Sequence, residues 1–240
     1  MRVYLGSPGS RAQAEAVKGR AVLLSFAAMP KTPAAMEYLY AYDRVLLDSG
    51  AYSELNSGAA VDLPAYIDWV HTIPWADAWA GLDDIRGDWR RSLKNYEAGG
   101  FPTVHDTDPD ELLPDLISLA RERGGWIGVG LLPPRSGRMD WLRRTFERIP
   151  PDLHVHGWAL GAYANLGRIN SFDSTHWWRE SHKFRKAMPW LTETEALDLG
   201  VKKLERMARF RPIASDHPDL FTTPQTEGEA ARTTRSTGEE

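Results

Sequence analysis

The chain has 240 residues, 42% hydrophobic and 26% charged, values that exclude a wholly disordered, collagen-like or coiled-coil polymer. Zero cysteines exclude a disulfide scaffold, a thiol nucleophile and any zinc site with thiolate ligands. The formal charge of −4 argues for solubility rather than for a polyanionic partner gathered by bulk charge.

In chain order, short apolar or β-branched runs alternate with helical patterns, as in parallel βα units. Strands are expected near Val3–Gly6, Ala21–Phe26, Arg44–Leu47, Ala78–Leu82, Thr103–His105, Trp126–Leu131, Leu153–Trp158 and Ile169–Phe172. Helical segments are expected at Ala12–Val17, Pro33–Tyr40, Leu63–Val70, Trp89–Ala98, Pro109–Arg123, Met139–Arg148 and, briefly, Tyr163–Leu166. Asp108 before Pro109 reads as a helix N-cap, and Gly124-Gly125 as the C-cap of the same helix. Ser136 with Asp140, and Thr192 with Glu195, offer further helix starts, the second as a capping box. A last helix, Val201–Phe210, closes the pattern. Eight strands in this length predict one (β/α)₈ TIM-type barrel over residues 1–210, with a doubly wound sheet as the alternative architecture. Residues 211–240, with six acidic side chains against three arginines and little to bury, are expected to be a disordered tail. The opening MRVYLGSPGSR turns polar after five residues, and no run approaches the ~20 apolar residues of a membrane span. A cytoplasmic protein with no membrane partner is expected.

In such a barrel the chemistry sits where strands end, and polar residues collect there. Asp48 follows the third strand, Asp83 and Asp84 the fourth, His105 and Asp106 the fifth, His156 the seventh and Asp173 the eighth. Each carboxylate suits either a general acid/base or a cap on the following helix. Three converging on one mouth repel one another, a cost that a functional site explains.

His154 and His156 share a strand face, so they suit either a metal or a flat polar wall. No third ligand has a diagnostic spacing, and no metal or cofactor is expected. G-x-x-x-x-G-K-[ST], G-x-G-x-x-G and G-x-S-x-G are all missing, which weakens nucleotide hydrolysis and serine-hydrolase readings. Ten tryptophans are many for this length, and Tyr52, Trp158, Trp177 and Trp178 lie near the carboxylates, where a planar base would stack. Arg135, Arg138, Arg143, Arg144 and Arg148 form one basic run, and Arg179, Lys183, Arg185 and Lys186 another, with Lys202, Lys203, Arg206, Arg209 and Arg211 beyond. Such runs are either solvated faces or phosphate contacts.

Over residues 44–178 the sequence resembles the tRNA-guanine transglycosylase family, including its short phage relatives that insert 7-deazaguanines into DNA. VLLDSGAYS is similar to the family's D-S-G-G-[FY]-Q, AGLDDI to F-D-E-C, and GGWIGVGLLP to G-F-A-I-G-G-L. HVHGWALGAYANLGRINSFDSTHW parallels the strand, M-G-V-G turn and F-D-x-x-x-P-T-R nucleophile segment. The resemblance implies that Asp173 is the nucleophile, Asp48 the general acid/base and Asp83 the reader of the purine edge. It further implies that Tyr52 and His156 sandwich the base, with Ser49, Gly50, His105, Gly130, Leu131 and Gly157 around it. The chain departs from the family at His105 and Ser53, where Gln is usual, at His156, where Met is common, and at the missing arginine of the nucleophile segment. Without cysteine it cannot build the family's zinc module.

These residues suit a retaining displacement at C1′ of a nucleotide: Asp173 attacks, Asp48 moves the proton, and an ionised Asp83 accepts from guanine's N1–H and amino group. The expected function is exchange of guanine in a polynucleotide for a free 7-deazaguanine base such as 7-cyano-7-deazaguanine. DNA is favoured because tRNA-acting members use the zinc module on their substrate; in a phage setting the compartment is host cytoplasm. Arg138, Arg143, Arg144, His176, Arg179, Lys183, Arg185 and Lys186 are the expected nucleic-acid contacts, and a homodimer is compatible with them. The alternatives are a tRNA-guanine transglycosylase, a non-catalytic partner subunit of one, and a base-excising N-glycosidase.

Overall fold

A computed structural model describes residues 1–31, 33–132, 138–163 and 165–209. The expected tail and the helix start at Ser136 lie outside the described residues. Eight parallel strands run β1 Arg2–Gly6, β2 Ala21–Ser25, β3 Arg44–Asp48, β4 Ala78–Trp79, β5 Thr103–His105, β6 Trp126–Gly130, β7 His154–Gly157 and β8 Ser171–Ser174. They hydrogen-bond in the order β4-β3-β2-β1-β8-β7-β6-β5. A parallel bridge between Ala80 and Phe101 joins the two ends of that order, with Gly81 N–H on Phe101 O at 2.9 Å and Phe101 N–H on Trp79 O at 2.9 Å. The sheet is therefore a TIM-type barrel.

Alternation along each strand separates two cores. Inward-facing Tyr4, Ala21, Leu23, Leu46, Ala80 and Phe101 fill the barrel with Ala78, Trp126 and Trp158. Outward-facing Leu5, Val22, Leu24, Val45, Leu47, Ile127, Val129, Val155 and Phe172 pack under the helices. Helices lie between the strands as α1 Arg11–Ala16, α2 Pro33–Glu37, α3 Ala51–Ser57, α4 Leu63–His71, α5 Trp89–Tyr96, α6 Leu113–Glu122 and α7 Met139–Arg148; α8 His176–Ala187 and α9 Glu193–Arg209 follow β8.

Local chemistry sets several boundaries. Thr192 and Glu195 form the expected capping box, Thr192 N–H donating to Glu195 Oε2 at 2.8 Å and Glu195 N–H to Thr192 Oγ1 at 3.3 Å. The expected short helix at Val201 is thus the second half of α9. Asp108 is not the N-cap expected of it. Its carboxylate accepts His105 N–H at 2.7 Å at the end of β5, and the chain enters α6 through a 3-10 turn, Asp110–Leu112, without a side-chain cap. Gly125 N–H does close α6, on Ala120 O at 2.8 Å. β8 begins two residues later than expected, which puts Asp173 inside the strand and turns it inward. α8 and α9 cross closely at Gly200, where a Cβ would stand 2.1 Å from Trp177 O, so no larger residue fits. Arg20 then ties α9 to the strand layer through Asp198 at 2.9 Å and Glu205 at 3.2 Å. No helix among the described residues is long and apolar enough to cross a membrane.

Candidate functional site

A cavity of about 480 Å³ opens at the carboxyl ends of the strands, lined among others by Asp48, Tyr52, Asp83, His105, Gly130, Leu131, Trp158, Asp173, His176 and Arg179. That volume is in the range of small-ligand sites. The three carboxylates singled out by the strand-end pattern meet in it, and each has a different environment.

Asp48 is the last residue of β3, in register with Ser25 of β2. Burial pushes its carboxyl up to about 6, with a smaller upward push from Asp173, against hydrogen bonds from the Ser25 hydroxyl and the Gly50 N–H. It does not cap α3: that helix starts from Gly50, which has no side chain to cap with. Gly50 has φ of 82°, and a Cβ there would stand 2.4 Å from Ala27 Cβ. Only glycine allows this turn to pass under Ala27 and present its N–H to Asp48.

Asp83 lies on the loop after β4. Burial, and then repulsion from Asp48, raise it to about 7. Its Oδ2 is 2.7 Å from His105 Nε2. Burial lowers His105 to about 4, so at neutral pH the imidazole is uncharged, and the proton between the two groups comes either from a protonated Asp83 or from His105 as its Nε2–H tautomer.

Asp173 faces inward from β8. Its Oδ1 accepts the N–H of Ala159 at 2.7 Å. Ala159 holds φ of 53°, the one positive value at a non-glycine among the described residues, so the turn after β7 is strained where it aims this donor.

The expected sandwich of Tyr52 and His156 does not form. Tyr52 lines the cavity and is 48% exposed, whereas His156 is fully buried beneath Asp173. Inward residues of β7 recur every second position, so His156 lies one layer down and Trp158 supplies the wall instead. Ser49 and Gly157 are buried and do not line the cavity, nor does Gly50; Ser49 Oγ instead accepts Ala51 N–H at 3.3 Å in the turn. Ser25 and Ala159, which hydrogen-bond the acid groups, were not singled out from sequence. Ser25 occupies the same strand-end register as Asp48, which is the signal that identifies it.

Asp84 and Asp106 are structural. Asp84 accepts Arg86 N–H at 2.9 Å and pairs with Arg91 at 3.2 Å, while Asp106 accepts Leu132 N–H at 2.8 Å and contacts Arg138. Arg138 is thereby committed to a buried carboxylate rather than to a ligand. Arg143 pairs with Asp140 at 3.0 Å, and Arg144 is exposed on α7. On α8, His176 and Arg179 line the cavity, and Lys183 pairs with Glu180 at 2.7 Å. Arg185 and Lys186 are exposed at the far end of the helix. His154 and His156 do share a face, yet no group of three or more His, Asp or Glu side chains among the described residues is disposed to hold a metal ion.

No family model and no curated protein matches the chain. Among solved structures it is similar to a candidate fructose-1,6-biphosphate aldolase from Coccidioides immitis, at 14% identity and a TM-score of 0.55. The match covers 87% of this chain and 89% of that one. At this identity the likeness concerns the barrel alone, an architecture that supports many chemistries by varying the loops at its mouth.

Proposed function

We propose that the protein is a pentosyltransferase that exchanges guanine in a polynucleotide, DNA in preference to tRNA, for a free 7-deazaguanine. The observation that carries this reading is the meeting of Asp48, Asp83 and Asp173 in one cavity, two of them raised toward neutrality and the third held by a backbone donor. Double displacement needs such a division of labour: a carboxylate that attacks and a carboxylic acid that has a proton to give.

Asp173 gives an electron pair to C1′ of the target nucleotide while the C1′–N9 bond breaks. The departing guanine takes the proton held by Asp48. The incoming base then loses its N9 proton to Asp48 and attacks C1′, releasing Asp173. Asp83 accepts from the N1–H and amino group of the purine, two donors that draw it back to the ionised form when the base binds. Tyr52 and Trp158 offer the aromatic surfaces for a nucleotide flipped out of the stack.

The test is to incubate the protein with DNA and, separately, tRNA, each with candidate 7-deazapurines, then digest and identify nucleosides by mass spectrometry. Incorporation into DNA is expected. Incorporation into tRNA alone overturns the choice of polymer. Release of guanine without uptake of new base reassigns the protein to base excision.

A further inference from the structure

Beneath Asp173, side chains of β7 and β8 form a line through the barrel. His154 Nε2 lies 2.8 Å from Ser171 Oγ, Ser171 Oγ lies 2.9 Å from His156 Nδ1, and His156 Nε2 lies 3.6 Å from Asp173 Oδ1. Parallel register pairs His156 with Ser171, and the period of two turns His154, His156, Ser171 and Asp173 all inward. Ser171 and His156 are fully buried, and His156 Nε2 has no hydrogen-bond partner among the described residues. Around them, His154 stacks on Trp126 at 3.7 Å, while Trp158 and Tyr4 stand edge-on to His156 at 4.5 and 5.9 Å.

The Ser171 hydroxyl has one proton, which fixes the order of the others. If it donates to His154, then His156 must donate through Nδ1, and a neutral His156 turns the bare lone pair of Nε2 toward the Asp173 oxygen. If it donates to His156 Nδ1, then His154 donates through Nε2, and His156 turns an N–H toward that oxygen. The second order replaces repulsion with attraction at an imidazole that is fully buried. Burial keeps His154 neutral, lowering it to about 4, so it enters the line with one ring proton.

We propose that the His154–Ser171 pair fixes the tautomer of His156, making His156 a positioning residue that aims Nε2–H at Oδ1 of Asp173. The nucleophilic role of Asp173 is taken from the preceding section. Oδ1 then has two donors, Ala159 N–H and His156 Nε2–H, and attack falls to Oδ2. When Oδ2 bonds to C1′, Oδ1 becomes the carbonyl oxygen of the ester. When the incoming N9 attacks C1′, the electron pair of the Oδ2–C1′ bond returns to Asp173, and its charge spreads to Oδ1 opposite the waiting N–H. The gap of 3.6 Å closes as that charge develops.

The experiment has one measurement independent of activity and one dependent on it. Long-range nitrogen–proton correlation spectra of the full chain, labelled at histidine nitrogens, are expected to show His156 protonated at Nε2 and bare at Nδ1 at neutral pH. Ser171→Ala should mix the two tautomers. A bare Nε2 in the wild-type protein, or tautomers indifferent to Ser171→Ala, overturns the relay. In kinetics, His156→Met should slow breakdown of the covalent adduct on the order of 10²-fold, as when a donor to a developing anion is removed, and affect its formation much less. The Kd for the base should not change, because His156 is not on the cavity wall. His156→Gln, whose amide places an N–H near Nε2, should recover most of the loss. Wild-type adduct kinetics in both His156→Met and Ser171→Ala overturn the positioning role. A wild-type protein that exchanges no base refutes the preceding section instead, and the tautomer spectra then decide the relay alone.

Discussion

The two halves of the barrel interior are built differently. Strands β1 to β4 contribute Tyr4, Ala21, Leu23, Leu46 and Ala78, an interior held mainly by apolar packing. Strands β5 to β8 contribute Thr103, His154, His156 and Ser171, whose polar atoms are joined by hydrogen bonds, including Trp158 Nε1–H to Thr103 Oγ1 at 3.0 Å. The proposed acid groups lie over the apolar half and the proposed nucleophile over the hydrogen-bonded half. Burial without an adjacent cation favours a neutral carboxyl, as at Asp48 and Asp83. A fixed donor orients the partly exposed Asp173, while at Asp48 burial outweighs the two donors, Ser25 and Gly50, that it also has. One fold thereby gives like residues unlike environments, as the proposed division of labour requires.

Removing the proposed nucleophile breaks this comparison most severely. Asp173→Asn keeps the shape and the Ala159 contact but loses the attacking oxygen, so exchange should fall by several orders of magnitude with the fold intact. A denaturing gel should show no adduct with the polynucleotide. Exchange near the wild-type rate removes Asp173 from the mechanism.

In the apolar half, Asp48→Asn removes the proposed proton donor. Guanine departure should slow on the order of 10²- to 10⁴-fold. Because Asp48 must start protonated and is pushed up to about 6, adduct formation in the wild-type protein should fall as pH rises above that value, approaching about tenfold per pH unit. A rate of adduct formation that is flat from pH 6 to 8.5 assigns the proton to another group.

Asp83 gives the same comparison a stability readout. Its folded value of about 7 exceeds the ordinary aspartate value of 3.8, so the folded state holds the proton more tightly. The stability linked to that proton is fully present below about pH 4 and is lost as pH rises through about 7, up to a few kcal/mol in all. Asp83→Asn cannot ionise, so at pH 8 its Tm should exceed that of the wild-type protein by several degrees, with no gain at pH 4. The same variant should discriminate less against adenine-like bases, since an acceptor has been lost. A Tm at pH 8 equal to or below the wild-type value contradicts the burial account of Asp83.

The sequence carried the barrel because most strands announce themselves by an apolar run, several of which end in a polar residue, as VLLD does. It carried the three carboxylates for the same reason. What it hid was depth. His154 and His156 share a face in any strand reading, but the layer each occupies depends on register with Ser171, which a single strand does not contain. α8 was also hidden: its buried positions are Trp177, Glu180 and Ser181, so two of the three are polar and the apolar period that marks a helix is missing. The buried Glu180 makes sense only in three dimensions, where His176 at 2.9 Å, Lys183 at 2.7 Å and Lys203 on α9 converge on it.

That hidden helix yields the smallest and most discriminating prediction, about the surface rather than the interior. Arg179, Lys183, Arg185 and Lys186 follow the proposed nucleophile in sequence, which suggests one patch beside the mouth. A helix following a barrel strand runs back along the outer wall, however, and at 1.5 Å per residue Lys186 lies about 10 Å further from the mouth than Arg179. Arg179 lines the cavity, whereas Lys183 is held by Glu180. A phosphate next to a flipped nucleotide therefore meets Arg179 first. Arg179→Ala should weaken DNA binding roughly tenfold near 0.1 M salt and reduce the slope of log affinity against log salt by about 1. Lys186→Ala should change either quantity by much less. Binding titrations across a salt series compare the two directly. Equal losses would mean that the polymer wraps the outer wall along α8, and a larger loss at Lys186 would move the binding track off the mouth altogether.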